Sequence, residues 1–173
     1  VEDPFAALGL PARFDLENGV IERAFLARAA AVHPDMVGDD EEAAVQSARL
    51  NRARAVLLDP EQRANALLRV LGGPSKEEDK SLPDGFLMEI MEVREAVEQA
   101  VGSGSEEERE RWQSWARQQR AEYAAKVEAL LVEPSPDNLR AARQELNAWR
   151  YIERLIEQLD PRYDPNVSDF EGV

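Results

Sequence analysis

The chain has 173 residues, 43% of them hydrophobic and 32% charged, with a formal net charge of −14. This is the composition of a globular chain rather than a disordered one. It has no cysteine, which excludes disulfides, thiolate metal sites and cysteine nucleophiles and suits a reducing compartment, so a cytoplasmic location is expected. The acidity is −4 over residues 1–73 and −10 over the rest. It argues against nucleic acid and anionic membrane as partners, and no run approaches the ~18 apolar residues of a membrane span.

Helical periodicity runs throughout, with no alternating strand pattern and no Asn-Gly hairpin signal, so an all-α fold is predicted. A short helix is expected over Pro4 to Leu8, stopped by Gly9. A second spans about Glu17 to Val32, with Ile21, Phe25, Ala29 and Val32 on its apolar stripe, and must end before Pro34. After a polar loop, Met36 to Asp40, a third runs from about Glu41 to Leu58. Its inner face is read as Ala44, Ala48, Asn51, Ala55 and Leu58. Asp59-Pro60-Glu61 then caps and restarts a helix that ends near Gly72-Gly73.

Residues 74–84, rich in Pro, Ser and charge, read as a linker. Beyond it lie three long helical patterns, about Asp84 to Val101, Glu106 to Val132 and Asp137 to Leu159. They are separated by Gly102-Ser103-Gly104-Ser105 and by Glu133-Pro134-Ser135-Pro136. Short connections make neighbours antiparallel, which predicts a three-helix bundle over 85–160 and a tail over 161–173. Its core is expected to comprise Phe86, Ile90, Val93 and Val97; Trp112, Trp115, Tyr123, Val127 and Leu130; and Leu139, Ala142, Leu146, Trp149 and Ile156.

His33 is the only histidine. No serine, second histidine or carboxylate is spaced to make it a nucleophile's base or a zinc ligand, so neither an enzyme nor a metal or cofactor site is predicted. The tripeptide His33-Pro34-Asp35 instead sits in a polar loop between two amphipathic helices. Proline fixes the turn, and the flanking side chains can hydrogen-bond and pair with a partner at a set geometry. Asp3-Pro4-Phe5-Ala6-Ala7-Leu8-Gly9-Leu10 and Leu50-Asn51-Arg52-Ala53-Arg54-Ala55-Val56-Leu57-Leu58-Asp59-Pro60-Glu61-Gln62-Arg63 complete the context. In that order the three segments resemble a J-domain over residues 1–73.

The resemblance implies that His33, Pro34 and Asp35, with Arg23 and Arg28 on the preceding helix, engage an ATP-bound DnaK-type chaperone and trigger hydrolysis. The chain departs from the J-domain pattern in three ways. Ala24, Ala27, Ala30 and Ala31 thin out a helix face that is usually basic. Met36 stands where a lysine commonly follows the tripeptide. Arg28 and Arg54 replace an apolar and an aromatic residue, so each must snorkel or find a carboxylate.

In Phe86-Leu87-Met88-Glu89-Ile90-Met91-Glu92-Val93-Arg94-Glu95, the stripe of Phe86, Ile90, Val93 and Val97 puts Met88, Met91 and Glu95 on the opposite side, with Glu92 and Gln99 beside them. Methionines on an outer face suit an adaptable binding surface; a helix sandwiched with both faces in the core is the alternative. A J-domain, a linker and this opening of a three-helix bundle resemble the HscB co-chaperone family of iron–sulfur cluster assembly. The resemblance implies an HscA-type chaperone and an IscU-like scaffold as partners. It implies Leu87, Met88, Met91, Glu92, Glu95, Gln99 and Tyr151 as the scaffold-binding patch. A J-protein serving another client, and a helical adaptor with a weakened J-domain, stay open, as does self-association.

Overall fold

A computed structural model describes residues 2–31 and 40–162. The tripeptide His33-Pro34-Asp35, Val32, Met36 and the tail beyond Arg162 lie outside the described residues. Those described form helices joined by turns and loops, with no strand among them.

Each helix start carries a local reason. In α1 (Pro4–Leu8) the Asp3 carboxylate accepts from the Phe5 and Ala6 amides at 2.9 and 3.3 Å, and Gly9, at φ 68°, ends the helix in the left-handed region. Next come α2 (Asn18–Ala31) and α3 (Asp40–Leu58). Asp59 caps α4 (Pro60–Val70) by accepting from the Gln62 amide at 3.0 Å, with Pro60 in the first turn. Gly85, at φ 80°, opens α5 (Phe86–Ser103). Ser105 caps α6 (Glu106–Val132), and Ser135 caps α7 (Pro136–Leu159).

The packing follows from which faces are apolar. Helices α1, α2 and α3 pack on one another; α5, α6 and α7 form the bundle; α4 packs on α3 and also on α6 and α7. One continuous apolar cluster therefore runs from Phe5, Ile21, Leu57, Leu67 and Leu68 into Ile90, Val127, Leu146, Trp149 and Ile152. Polar groups close the seam around it. Buried Arg143 donates to Asn65 Oδ1 at 2.8 Å, and Arg150 reaches Glu61 at 3.3 Å. The stretch 74–84, expected as a linker, is held against α7: Asn147 Nδ2 donates to the carbonyls of Asp79 and Ser81 at 3.0 and 2.8 Å.

Three details differ from expectation. The inner face of α3 is Ala43, Leu50, Ala53 and Leu57, while Ala44, Ala48, Asn51 and Ala55 are exposed. Two alanine-bearing stripes compete on this helix, and the stripe holding leucines at 50 and 57 buries more area and wins. In the bundle, Val93, Trp112, Trp115, Leu130, Leu139 and Ile156 are only half-buried, and Ala116, Leu131, Ile152 and Leu155 fill the interior. Helix α6 touches α4 as well as α5 and α7, which rotates its buried arc. Lastly, Arg54 finds its carboxylate: its guanidinium makes a two-pronged pair with Glu22 at 2.8 and 2.7 Å and lies over the Phe25 ring at 5.1 Å. It thereby crosslinks α2 and α3 with a cation at the position where the J-domain pattern has an aromatic residue.

The register of α3 is open to direct test. In urea unfolding, Ala48→Gln is expected to stay within about 0.5 kcal/mol of the parent. Ala53→Gln is expected to cost about 2 kcal/mol or more, because it forces a polar, oversized group into the α2–α3 contact.

Candidate functional site: two exposed helix faces

The outer face of α5 is built from its anchor upward. Phe86 is buried at the start of the helix, edge-on to Tyr123 of α6 (6.3 Å between ring centroids) and to Tyr151 of α7 (5.6 Å). Its amide donates to Pro83 O at 3.1 Å, which fixes where the helix begins. With Phe86, Ile90, Val97 and Ala100 inward, the helical repeat turns the other side to solvent. Leu87, Met88 and Met91 are 54%, 74% and 62% exposed. The sandwiched alternative is therefore excluded: α5 buries one face only.

Glu92, Glu95 and Gln99 are exposed along the same side, and Gln99 Nε2 donates to Glu95 Oε1 at 3.5 Å. Tyr151 is half-buried and its ring meets Phe86 on the inward side. Leu87, Met88, Met91, Glu92, Glu95 and Gln99 thus share one exposed, apolar side of α5 edged with carboxylates. Its rim groups are fully solvated, so it can bind a partner by burial of the methionines and select it by charge. Among the described residues, no cluster of three or more His, Asp or Glu side chains is placed to hold a metal ion.

Beneath this surface Tyr123 is buried, and burial pushes its phenol up to about 12, with the Glu145 and Glu89 carboxylates adding to the effect. Lys126 Nζ lies 4.9 Å from the ring centroid.

The second face belongs to α2. Ile21 is fully buried and Phe25 half-buried on its inner side, whereas Arg23 is exposed on the outer side. Arg28 falls seven residues after Ile21 and so on the inner side. A Cβ at Gly9 would lie 2.2 Å from Arg28 Nη2, so the guanidinium rests on the Gly9 backbone at the end of α1. Two consequences follow. Gly9 is required both for its left-handed φ and for this close approach, and Arg28, still exposed, lies on the α1 side of α2. Leu26, which the sequence reading passed over, stands on that outer face with 62% of its surface exposed. Its signal was available: Leu26 lies half a helical turn from the Ile21–Phe25 stripe.

Comparisons with known proteins agree with both halves. The DnaJ domain family matches residues 3–66, and the HSCB C-terminal oligomerisation domain family matches residues 82–160. The chain is similar to the co-chaperone protein HscB homologue of Bordetella petrii, 35% identical over 91% of this chain and 94% of the relative. The homologue of Azoarcus sp. is 30% identical over 92% of each chain. Among solved structures, the chaperone HscB from Vibrio cholerae superposes with a TM-score of 0.69 at 24% identity, covering 97% of this chain and 98% of that one. The human co-chaperone protein HscB gives 0.76 at 23% identity, covering 92% and 81%.

The Tyr123 site carries a pH prediction. Its folded-state value lies above that of an unfolded tyrosine, near 10, so the stability it contributes is complete below about pH 10 and is lost as the pH rises through about 12. Denaturation measured across that range is expected to show an alkaline loss that Tyr123→Phe diminishes.

Proposed function

The chain belongs to the HscB family of J-domain co-chaperones, and on that premise we propose that it stimulates ATP hydrolysis by a DnaK/HscA-type chaperone and delivers an IscU-like iron–sulfur scaffold to it. The protein performs no chemistry of its own in this account. It couples two binding events, one at each exposed helix face.

The observation that carries the reading is the exposed α5 surface, with Met88 and Met91 outward and Phe86 locked inward, on the same chain as a J-domain. An exposed apolar patch of this kind marks a protein-binding site. Leu87, Met88 and Met91 supply the apolar area, Glu92, Glu95 and Gln99 the polar rim, and Tyr151 the border. In the J-domain, His33, Pro34 and Asp35 signal to the chaperone, and Arg23 and Arg28 of α2 contribute to its binding. Arg28 also lies against Gly9 at the end of α1 and stays exposed. The likeness in sequence to curated HscB co-chaperones over nine-tenths of the chain supports this division of labour.

Two variants separate the two roles. His33→Gln is expected to abolish ATPase stimulation in a single-turnover assay while scaffold affinity by calorimetry stays unchanged. Full stimulation by that variant would refute the chaperone half. Met88→Ala combined with Met91→Ala is expected to weaken scaffold binding by about tenfold or more, the loss of two buried thioether side chains. Its helical circular dichroism should match the parent's, because both residues are exposed. Unchanged affinity would remove the patch from the account.

A further inference from the structure

The exposed side of α5 is too small to hold a partner alone. From Leu87 to Gln99 it runs about 18 Å along the helix, and one helix face is about 10 Å wide. That amounts to a few hundred Å² at most, against the ~800 Å² that each partner buries in a stable complex. A protein seated there must also cover a neighbouring element. On the α7 edge the ring of Tyr151 is committed inward to Phe86. The α6 edge is open: a groove of about 440 Å³ lies between α5 and α6, with Gln99, Arg111 and Trp112 in its lining. Gln99 belongs to both the groove and the exposed α5 side, and its Nε2 donates to Glu95 Oε1 at 3.5 Å, so the two surfaces are continuous.

The groove has a chemistry of its own. Ala96 and Ala100 make an apolar floor, the first half-buried and the second buried. Trp112 is half-buried, with its ring edge-on to Trp115 at 5.5 Å between centroids. The Ser103 hydroxyl is taken up by the Ala100 carbonyl at 2.9 Å and by Glu108 at 3.1 Å. Arg111 is different: it is exposed and has no hydrogen bond or ion pair with the described residues. It is a free cation on a rim that otherwise carries Glu92, Glu95 and Glu108.

We propose that the IscU-like scaffold seats on α5 and α6 together, its footprint passing Gln99 into this groove, where a scaffold carboxylate pairs with Arg111 and an apolar side chain beside it packs on Trp112. The inference rests on the reading that α5 receives the scaffold, and adds the second helix and the orientation. Basic groups of the client meet Glu92 and Glu95, and its acid meets Arg111, so only one direction of laying the client along α5 matches every charge. Arginine and tryptophan are also the side chains that most often carry the energy of an interface. A second copy of this chain suits the groove less well, because two chains of net charge −14 repel.

The test uses the full chain and a purified IscU-type scaffold. In calorimetry, Arg111→Glu is expected to weaken scaffold affinity about tenfold, and Arg111→Lys, which keeps the charge, to stay within about threefold of the parent. Both should keep the parent's helical circular dichroism, since Arg111 is exposed. A second measurement reads the footprint directly. With fluorotryptophan at the chain's three tryptophans, fluorine NMR follows each ring, assigned by its Phe variant. Saturating scaffold is expected to move the Trp112 resonance and to leave that of Trp149, which is fully buried, in place.

Either a neutral Arg111→Glu or an unmoved Trp112 resonance overturns the inference. A Trp112 resonance that shifts with the chain's own concentration before scaffold is added also overturns it, by giving the groove to a second copy. Met88→Ala with Met91→Ala in the same calorimetry keeps the two levels apart. If that pair is neutral, the α5 reading itself fails; if it weakens binding while Arg111→Glu is neutral, only the extension onto α6 fails.

Discussion

Glu153 is the point on which the packing of α6 against α7 depends. Its Oε1 accepts from Trp149 Nε1 at 2.7 Å and from Arg120 Nε at 2.7 Å, while Oε2 takes the second prong of the Arg120 guanidinium. One carboxylate thus ties α6 to α7 and satisfies the indole of a fully buried tryptophan. Burial leaves a tryptophan N–H costly if unpaired, so Trp149 can fill the seam only because Glu153 is there. Glu61 of α4 lies in the same field. Burial, with the nearby Glu153 and Asp59 charges, pushes its carboxyl upward, and the Arg150 charge pulls it back. Two acids and two arginines alternate across the line where α4 meets the bundle. Removing Glu153 would leave both the Trp149 indole and the Arg120 guanidinium without this partner, whereas Arg150 keeps Glu157 if Glu61 is lost.

That seam turns two modules into one body. Helix α4 belongs by sequence to the J-domain, yet its leucines share a continuous apolar cluster with the bundle. Asn147 and Gln144 hold the connecting segment by its backbone and by Ser81. A loop pinned at successive carbonyls keeps its ends at a fixed separation, whereas a loop free in water would let the halves tumble. On the proposed function this rigidity matters, because a scaffold on α5 and a chaperone on α2 must be presented to each other in one relative orientation.

Much of this was legible in the residues, and the exceptions share a cause. Caps such as Asp3, Asp59, Ser105 and Ser135 act over three residues, so they announce themselves locally. The Phe86–Ile90–Val97 stripe is strong because its residues are large. The α3 stripe is weak because alanine appears on both sides of the helix, and the choice between the two sides is made by α1 and α2, which no local pattern shows. The seam was illegible for the same reason. Asn147 bonds to residues 66 and 68 positions away, and Arg143 to one 78 positions away. The polar α7 residues Asn147 and Gln144 hold the connection. The exposed surface of α5 was legible as a pattern but not as an exposure: which side the other helices cover is decided by the packing of α6 and α7, with no described element over Met88 and Met91.

The two exposed helix faces differ in a way that bears on partner choice. Around the methionines of α5 the rim is anionic, from Glu92 and Glu95, so an acidic surface brought there meets like charge as its water is lost. On the outer face of α2 the single charge is the cation Arg23, with Leu26 and alanines around it. Arg28 against Gly9 and Arg54 paired with Glu22 tie α2 to α1 and α3. The same pairing that stabilises α2 against α1 and α3 therefore also determines what kind of surface α2 offers. On the proposed function, a client with basic and apolar groups is favoured at α5.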